Sequence, residues 1–175
     1  YGLVGSEMCK ETELNLKVDH VFDLYDQIEY YESLWGGETS AYRDYQDTKK
    51  RVYELRQYID AQPKQVALTH IDAVCDNFLI RGDETYLIDW EYAGMQDVHV
   101  DIAMFAIYAM YDREQIDQLI DFYFDGDTDR SVRIKIYCYI ATCGLLWSNW
   151  CEYKRICGVE FGEYSLKQYR LSLIH

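Results

Sequence analysis

A single proline, Pro63, stands among 175 residues, and that scarcity constrains the fold more than any other feature of the chain. Proline breaks helices by removing a backbone N–H and clashing with the preceding turn, so a chain almost free of it can run in long, unbroken helices. The apolar spacing agrees. From about Glu11 to Leu34, Leu14, Val18, Val21, Phe22, Tyr25 and Ile28 fall mostly three or four apart, which predicts an amphipathic helix ended by Gly36-Gly37. A second helix, capped by Thr39 or Ser40, is expected to carry Tyr42, Tyr45, Val52, Leu55 and Ile59 on one stripe to about Ala61, where Pro63 stops it.

The pattern then changes. Val66-Ala67-Leu68, Asn77-Phe78-Leu79-Ile80 and Tyr86-Leu87-Ile88 are short strand-like runs, and Arg81-Gly82-Asp83-Glu84 joins the last two as a hairpin turn. After Gly94 the helical period returns over about Val100 to Tyr111, Arg113 to Phe124, Asp129 to Arg155 and Glu163 to Leu173. The expected architecture is mainly α with a small β-hairpin insert, in one domain over residues 1–175.

Charge narrows the function classes. With 17 Lys+Arg against 31 Asp+Glu, the net charge of −14 repels a nucleic-acid backbone and offers no basic stripe to anionic lipid. Neither nucleic acid nor membrane insertion is expected. The longest apolar stretch, Ile134 to Trp150, is interrupted by Lys135, Ser148 and Asn149 and falls short of the ~20 residues that cross a bilayer. No secretory leader opens the chain, so a cytoplasmic location is expected. The cysteines Cys9, Cys75, Cys138, Cys143, Cys151 and Cys157 form no C-x-x-C pair, which suggests reduced thiols rather than a zinc or redox motif.

The chemistry-bearing stretch is Leu68-Thr69-His70-Ile71-Asp72-Ala73-Val74-Cys75-Asp76-Asn77-Phe78-Leu79-Ile80, followed by Ile88-Asp89-Trp90-Glu91. Asp72 and Asn77 reproduce the spacing H-x-D-x-x-x-x-N of a kinase catalytic loop, in which the Asp accepts a substrate hydroxyl and the Asn coordinates magnesium. Asp89 opens the loop after the hairpin, where the second magnesium ligand belongs. Phosphoryl transfer asks a protein mostly for positioning and charge neutralisation, and Mg²⁺ prefers oxygen ligands such as these, completed by ATP. His70 is then expected to hold the loop by packing or hydrogen bonding.

These residues resemble the choline/ethanolamine kinase branch of the aminoglycoside phosphotransferase-like superfamily, bacterial choline kinases in particular, more than protein kinases. The loop carries His-x-Asp in place of His-Arg-Asp, the metal segment is Ile88-Asp89-Trp90-Glu91-Tyr92-Ala93-Gly94, and Asp101-Ile102-Ala103 resembles the family's Asp-Ile segment. Val159-Glu160-Phe161-Gly162-Glu163-Tyr164 resembles a segment near their C-terminus. The resemblance implies the C-terminal lobe of a protein kinase-like fold. It also implies ATP as co-substrate, Mg²⁺ held by Asn77 and Asp89, and Asp72 as catalytic base with His70 supporting it.

Trp147 and Trp150 resemble the tryptophan pair with which such kinases box a quaternary ammonium. The physical case stands beside that likeness: choline has no N–H to donate, so ring faces, each worth ~0.5–2 kcal/mol, and a carboxylate must hold it. The two residues lie three apart on a helix and so point to one side. Tyr92 is a candidate third wall and Glu91 a candidate charge. Where the family places a carboxylate seven residues after its Asp-Ile aspartate, this chain has Tyr108, which leaves the anionic partner of the pocket open.

A nucleotide lobe with a phosphate-covering glycine loop and a strand lysine is not recognisable in the sequence, so the isolated chain is expected to be a fragment that transfers phosphate negligibly and partners a missing N-terminal lobe of the same protein. The substrate implied is a small cation, choline or ethanolamine. Two alternatives remain: a lobe acting on an aminoglycoside or another amino alcohol, and a non-catalytic pseudokinase-like binding domain.

Overall fold

The computed structural model describes residues 16–82 and 84–173. The described residues are mainly helical, with four short strands among them in two antiparallel pairs, and divide into two compact units. Among the described residues, one comprises 16–22 with 62–136, the other 23–61 with 137–173.

In the first unit, β1 (Val66–Thr69) pairs with β4 (Gly94–Asp97) from Val66 opposite Asp97 to Thr69 opposite Gly94. The second sheet is a hairpin, β2 (Phe78–Arg81) with β3 (Glu84–Leu87), and Gly82 supplies the positive φ of 62° that its turn requires. Helix α3 (His99–Tyr108) is buried from His99 to Ile107, so it lacks a polar face. Helix α4 (Arg113–Tyr123) begins with a reciprocal cap: Gln115 N–H donates to Asp112 Oδ1 at 2.9 Å, and Asp112 N–H donates to Gln115 Oε1 at 3.0 Å.

In the second unit lie α1 (Leu24–Ser33), α2 (Tyr45–Ala61) and α6 (Glu163–Leu171). The longest helix, α5 (Arg130–Ile156, 27 residues), gives its first turns to the first unit and the rest to the second. Asn149 joins α5 to two partners, its Nδ2 donating to Tyr45 Oη at 2.8 Å and to Ile28 O at 3.3 Å. Gly144 lets α6 approach closely, since a Cβ there would stand 2.9 Å from the Gln168 carbonyl oxygen.

Several sequence expectations need correction. The first helix begins at Leu24, because Asp23 caps it through Oδ1 to the N–H groups of Tyr25 and Asp26. Residues 11–15 of the expected helix, including Leu14, lie outside the described residues, as do Cys9 and the turn residue Asp83. The apolar residues Val18 and Val21 belong to a non-helical run in which Val21 bridges Met95 and Met95 N–H donates to His20 O at 2.8 Å. The second helix begins at Tyr45 rather than beside Thr39 or Ser40; the Ser40 hydroxyl instead accepts from Tyr42 N–H in the turn before it. The expected hairpin is present as β2 and β3, and the unexpected strand β4 pairs with β1 as a further small antiparallel sheet among the described residues.

The thiols of Cys138 and Cys151 are buried and pushed up to about 11 and about 12, so they stay protonated, while Cys75 and Cys157 are exposed and free. Among the described residues no helix is long and apolar enough to cross a membrane.

One buried cluster sets a pH dependence. Burial lowers the His99 pKa to about 4 against the opposing pull of Asp97, with the Lys135 ammonium adding to the lowering. Because the unfolded chain takes up this proton near pH 6.5 and the folded one does not, stability is complete above that pH and falls as the pH drops toward 4. Thermal unfolding at pH 7 and pH 5 should differ by about 2 kcal/mol on this account. His99→Gln should remove most of that slope; an unchanged slope would exclude His99 as its source.

Candidate active site

Strand β1 delivers the site's first loop. Thr69 Oγ1 donates to Gly94 O at 2.8 Å, fastening the strand's end to β4. The next two backbone N–H groups, of His70 and Ile71, each donate at 2.8 Å to one oxygen of the Asp101 carboxylate. Asp101 is buried, and burial raises its pKa while those two N–H groups pull it back down. A single side chain on α3 therefore anchors the loop.

His70 is fully buried, its Nε2 lying 2.8 Å from Ile88 O and its ring edge-to-face with Trp90 at 4.7 Å. The histidine thus ties the first loop to the segment carrying Asp89. Ile71 adopts φ 69°, a left-handed conformation that a β-branched side chain rarely tolerates, and Asp89 has φ 67°. Such strain persists where surrounding bonds over-determine it, as the Asp101 clamp does at Ile71.

Beyond this bend, Asp72 is half-buried and meets Asn77 across the loop. Asn77 Nδ2 donates to Asp72 O at 2.9 Å and to Asp72 Oδ2 at 3.3 Å, which leaves its amide oxygen for another partner. A short 3₁₀ turn, Cys75–Asn77, and the bond from Asn77 N–H to Val74 O fix that approach. Ile88 N–H donates to Asn77 O at 3.0 Å, so the backbone sets Asp89, one residue on, beside the start of the strand that follows Asn77.

Tyr92 reports the field of this region. Its hydroxyl is held above the usual range first by burial, then by the carboxylates of Glu91, Asp72 and Asp89. The structure thus brings Asp72, Asn77, Asp89, Glu91 and Tyr92 into one neighbourhood with His70 behind them. Among the described residues, no Lys or Arg forms a salt bridge with Asp72, Asp89 or Glu91. Among the described residues no group of three or more His, Cys, Asp or Glu side chains is gathered to hold a metal ion; the Asn77 amide oxygen and a nearby carboxylate are oxygen donors of the kind a hard divalent cation prefers.

Trp147 and Trp150 lie in the second unit, on α5. They share one side of the helix, as their spacing requires, with ring centroids 5.6 Å apart at 80°. Trp147 is buried; Trp150 is half-buried and also packs against Phe161 at 5.0 Å.

Sequence reasoning missed the anchoring part that Asp101 plays. The available signal was chemical: a lone carboxylate in the otherwise apolar run Val100–Ile107 must find donors when buried. Asp101→Ala should strand two buried N–H groups and cost about 2–4 kcal/mol in denaturant unfolding. A loss under about 1 kcal/mol would mean the loop does not depend on the clamp.

A phosphotransferase enzyme family model matches residues 20–133, a span that holds Asp72, Asn77, Asp89 and Asp101. Protein LicA of Haemophilus influenzae is 30% identical over 159 residues, which are 85% of this chain and 58% of that protein. A second LicA sequence is 29% identical and covered to 46%, so the chain spans about half the length of the curated relatives it matches. Among solved structures, a choline/ethanolamine kinase family protein from Mesorhizobium loti superposes with a TM-score of 0.87 at 24% identity, over 98% of this chain and 60% of that one. Choline kinase LicA from Streptococcus pneumoniae gives 0.83 at 24% identity, over 98% and 61%. These likenesses bear out the expected kinase-like fold.

Proposed function

Because the chain belongs to the phosphotransferase enzyme family, we propose that it is the catalytic and substrate-binding lobe of a kinase that moves the γ-phosphate of ATP to the hydroxyl of choline or ethanolamine. The observation that carries the reading is the tethering of Asn77 to Asp72 beside carboxylates that form no salt bridge with Lys or Arg among the described residues.

In this mechanism Asp72 accepts a hydrogen bond from the substrate hydroxyl and takes its proton as the oxygen attacks the γ-phosphorus. The bond from that phosphorus to the bridging oxygen breaks, and ADP leaves. The Asn77 amide oxygen and the Asp89 carboxylate would hold Mg²⁺, which would supply charge neutralisation for the phosphates. His70 is a positioning residue, keeping the Asp72 and Asp89 loops in register through Ile88 O. Tyr92 and Glu91 contribute an aromatic face and a negative charge to the substrate. Trp147 and Trp150, on α5, are the aromatic pair suited to an ammonium, a role favoured by the high π-density of indole.

Intrinsic tryptophan fluorescence tests the ammonium part of the reading. Choline should quench it saturably, and Trp150→Ala should weaken the apparent affinity roughly two- to thirtyfold, the range spanned by one cation–π contact. Quenching that survives Trp147→Ala and Trp150→Ala unchanged would remove both residues from the site.

A further inference from the structure

Lys154 stands one helical turn after Trp150 on α5, and its Nζ lies 5.5 Å from the Trp150 ring centroid and 5.7 Å from that of Tyr153. Both distances are within cation–π range. The neighbouring cation behaves differently: Arg155 turns to the Glu152 carboxylate at 3.4 Å. Among the described residues Lys154 has no carboxylate partner, although the chain carries 31 Asp+Glu. Its ammonium rests on rings alone.

Other parts of the Trp150 surface are also engaged, by the edge contact with Trp147 and by Phe161 tilted at 36°. From this geometry we infer that Lys154 sets the affinity of the ammonium site: its ammonium occupies the Trp150 ring as an internal competitor, which an incoming ammonium displaces. The inference rests on the reading of Trp147 and Trp150 as the ammonium-binding pair. Displacement costs every cation the same, because the one Lys154–ring contact is lost whichever ligand takes its place, while the freed ammonium recovers three hydrogen bonds to water. Lys154 therefore lowers the affinity of the site for methylated and unmethylated ammonium alike.

The test titrates the 175-residue chain with tetramethylammonium and with methylammonium, reading tryptophan emission. Lys154→Gln should tighten tetramethylammonium and methylammonium binding by the same roughly two- to fivefold, the equivalent of ~0.5–1 kcal/mol of an exposed cation–π contact. Lys154→Arg, which restores a cation, should return both affinities toward those of the parent chain. Lys50→Gln changes the net charge equally on α2 and should leave both unchanged.

Unchanged or weaker binding in Lys154→Gln, with quenching that still depends on Trp150, would overturn the inference and leave the ammonium site standing. Equal tightening in Lys50→Gln would also overturn it, assigning the effect to net charge. Absence of any Trp150-dependent quenching in both the parent chain and Lys154→Gln would overturn the inference together with the ammonium site.

Discussion

Replacing Asp72 with Asn is expected to lower kcat for phosphorylation of an amino alcohol by roughly 10²–10⁴, the span of a positioned general base. Stability and substrate affinity should change little. The physical grounds are local: Asp72 is half-buried, and its carboxylate takes a single long bond, 3.3 Å, from Asn77 Nδ2. Asn preserves the shape and the backbone bond to Asn77 while removing the ability to take a proton. A variant that unfolds, or whose loss appears entirely in KM, would show that Asp72 holds the loop or the substrate instead of serving the chemical step.

The largest effect on stability should come from Lys135. This side chain is 1% exposed and donates to Asp97 Oδ2 at 2.7 Å and to Pro63 O at 2.6 Å, while Asp97 is 0% exposed. Lys135→Ala would leave a buried carboxylate without its counter-charge, a change that costs about 3–5 kcal/mol. For a chain of this size that lowers Tm by roughly 6–20 °C. Asp97 ends β4, which pairs with the strand leading into His70, so the loss should reach the catalytic loop as well. Lys135→Met with Asp97→Leu removes both charges and should recover much of the stability. A single Lys135→Ala variant within about 1 kcal/mol of the parent would show that the pair is not what holds β4.

The helices were legible where apolar spacing reflects one buried stripe, as in α2 and α4, and in α5 through a long apolar run that is buried on every side from Cys138 to Asn149. The spacing misled at Val18, Val21 and Phe22, because a run lying along β4 buries Phe22 without being helical. Asp23, a good capping residue before Leu24, was the local sign of the true boundary. Strand β4 was illegible for a physical reason: Gly94-Met95-Gln96-Asp97 has no β-branched residue and no clean alternation, and its extended state comes from pairing with β1. In the candidate site, the spacing of Asp72, Asn77 and Asp89 was readable because a loop and a hairpin keep them close in sequence. The clamp from Asp101 spans 30 residues, and no local pattern encodes such a contact. Likewise, three-residue spacing showed that Trp147 and Trp150 share a side, but the edge contact between them and the ammonium of Lys154 belong to packing.

The most direct measurement of the proposed chemistry is ³¹P-detected phosphate transfer from ATP by the full-length protein, run against choline, ethanolamine and an aminoglycoside, with Asp72→Asn as the control. The account predicts Mg²⁺-dependent formation of a phosphate ester on choline or ethanolamine, reduced at least about a hundredfold in Asp72→Asn. Transfer to the aminoglycoside alone, no transfer to any of the three, or undiminished transfer by Asp72→Asn would contradict it.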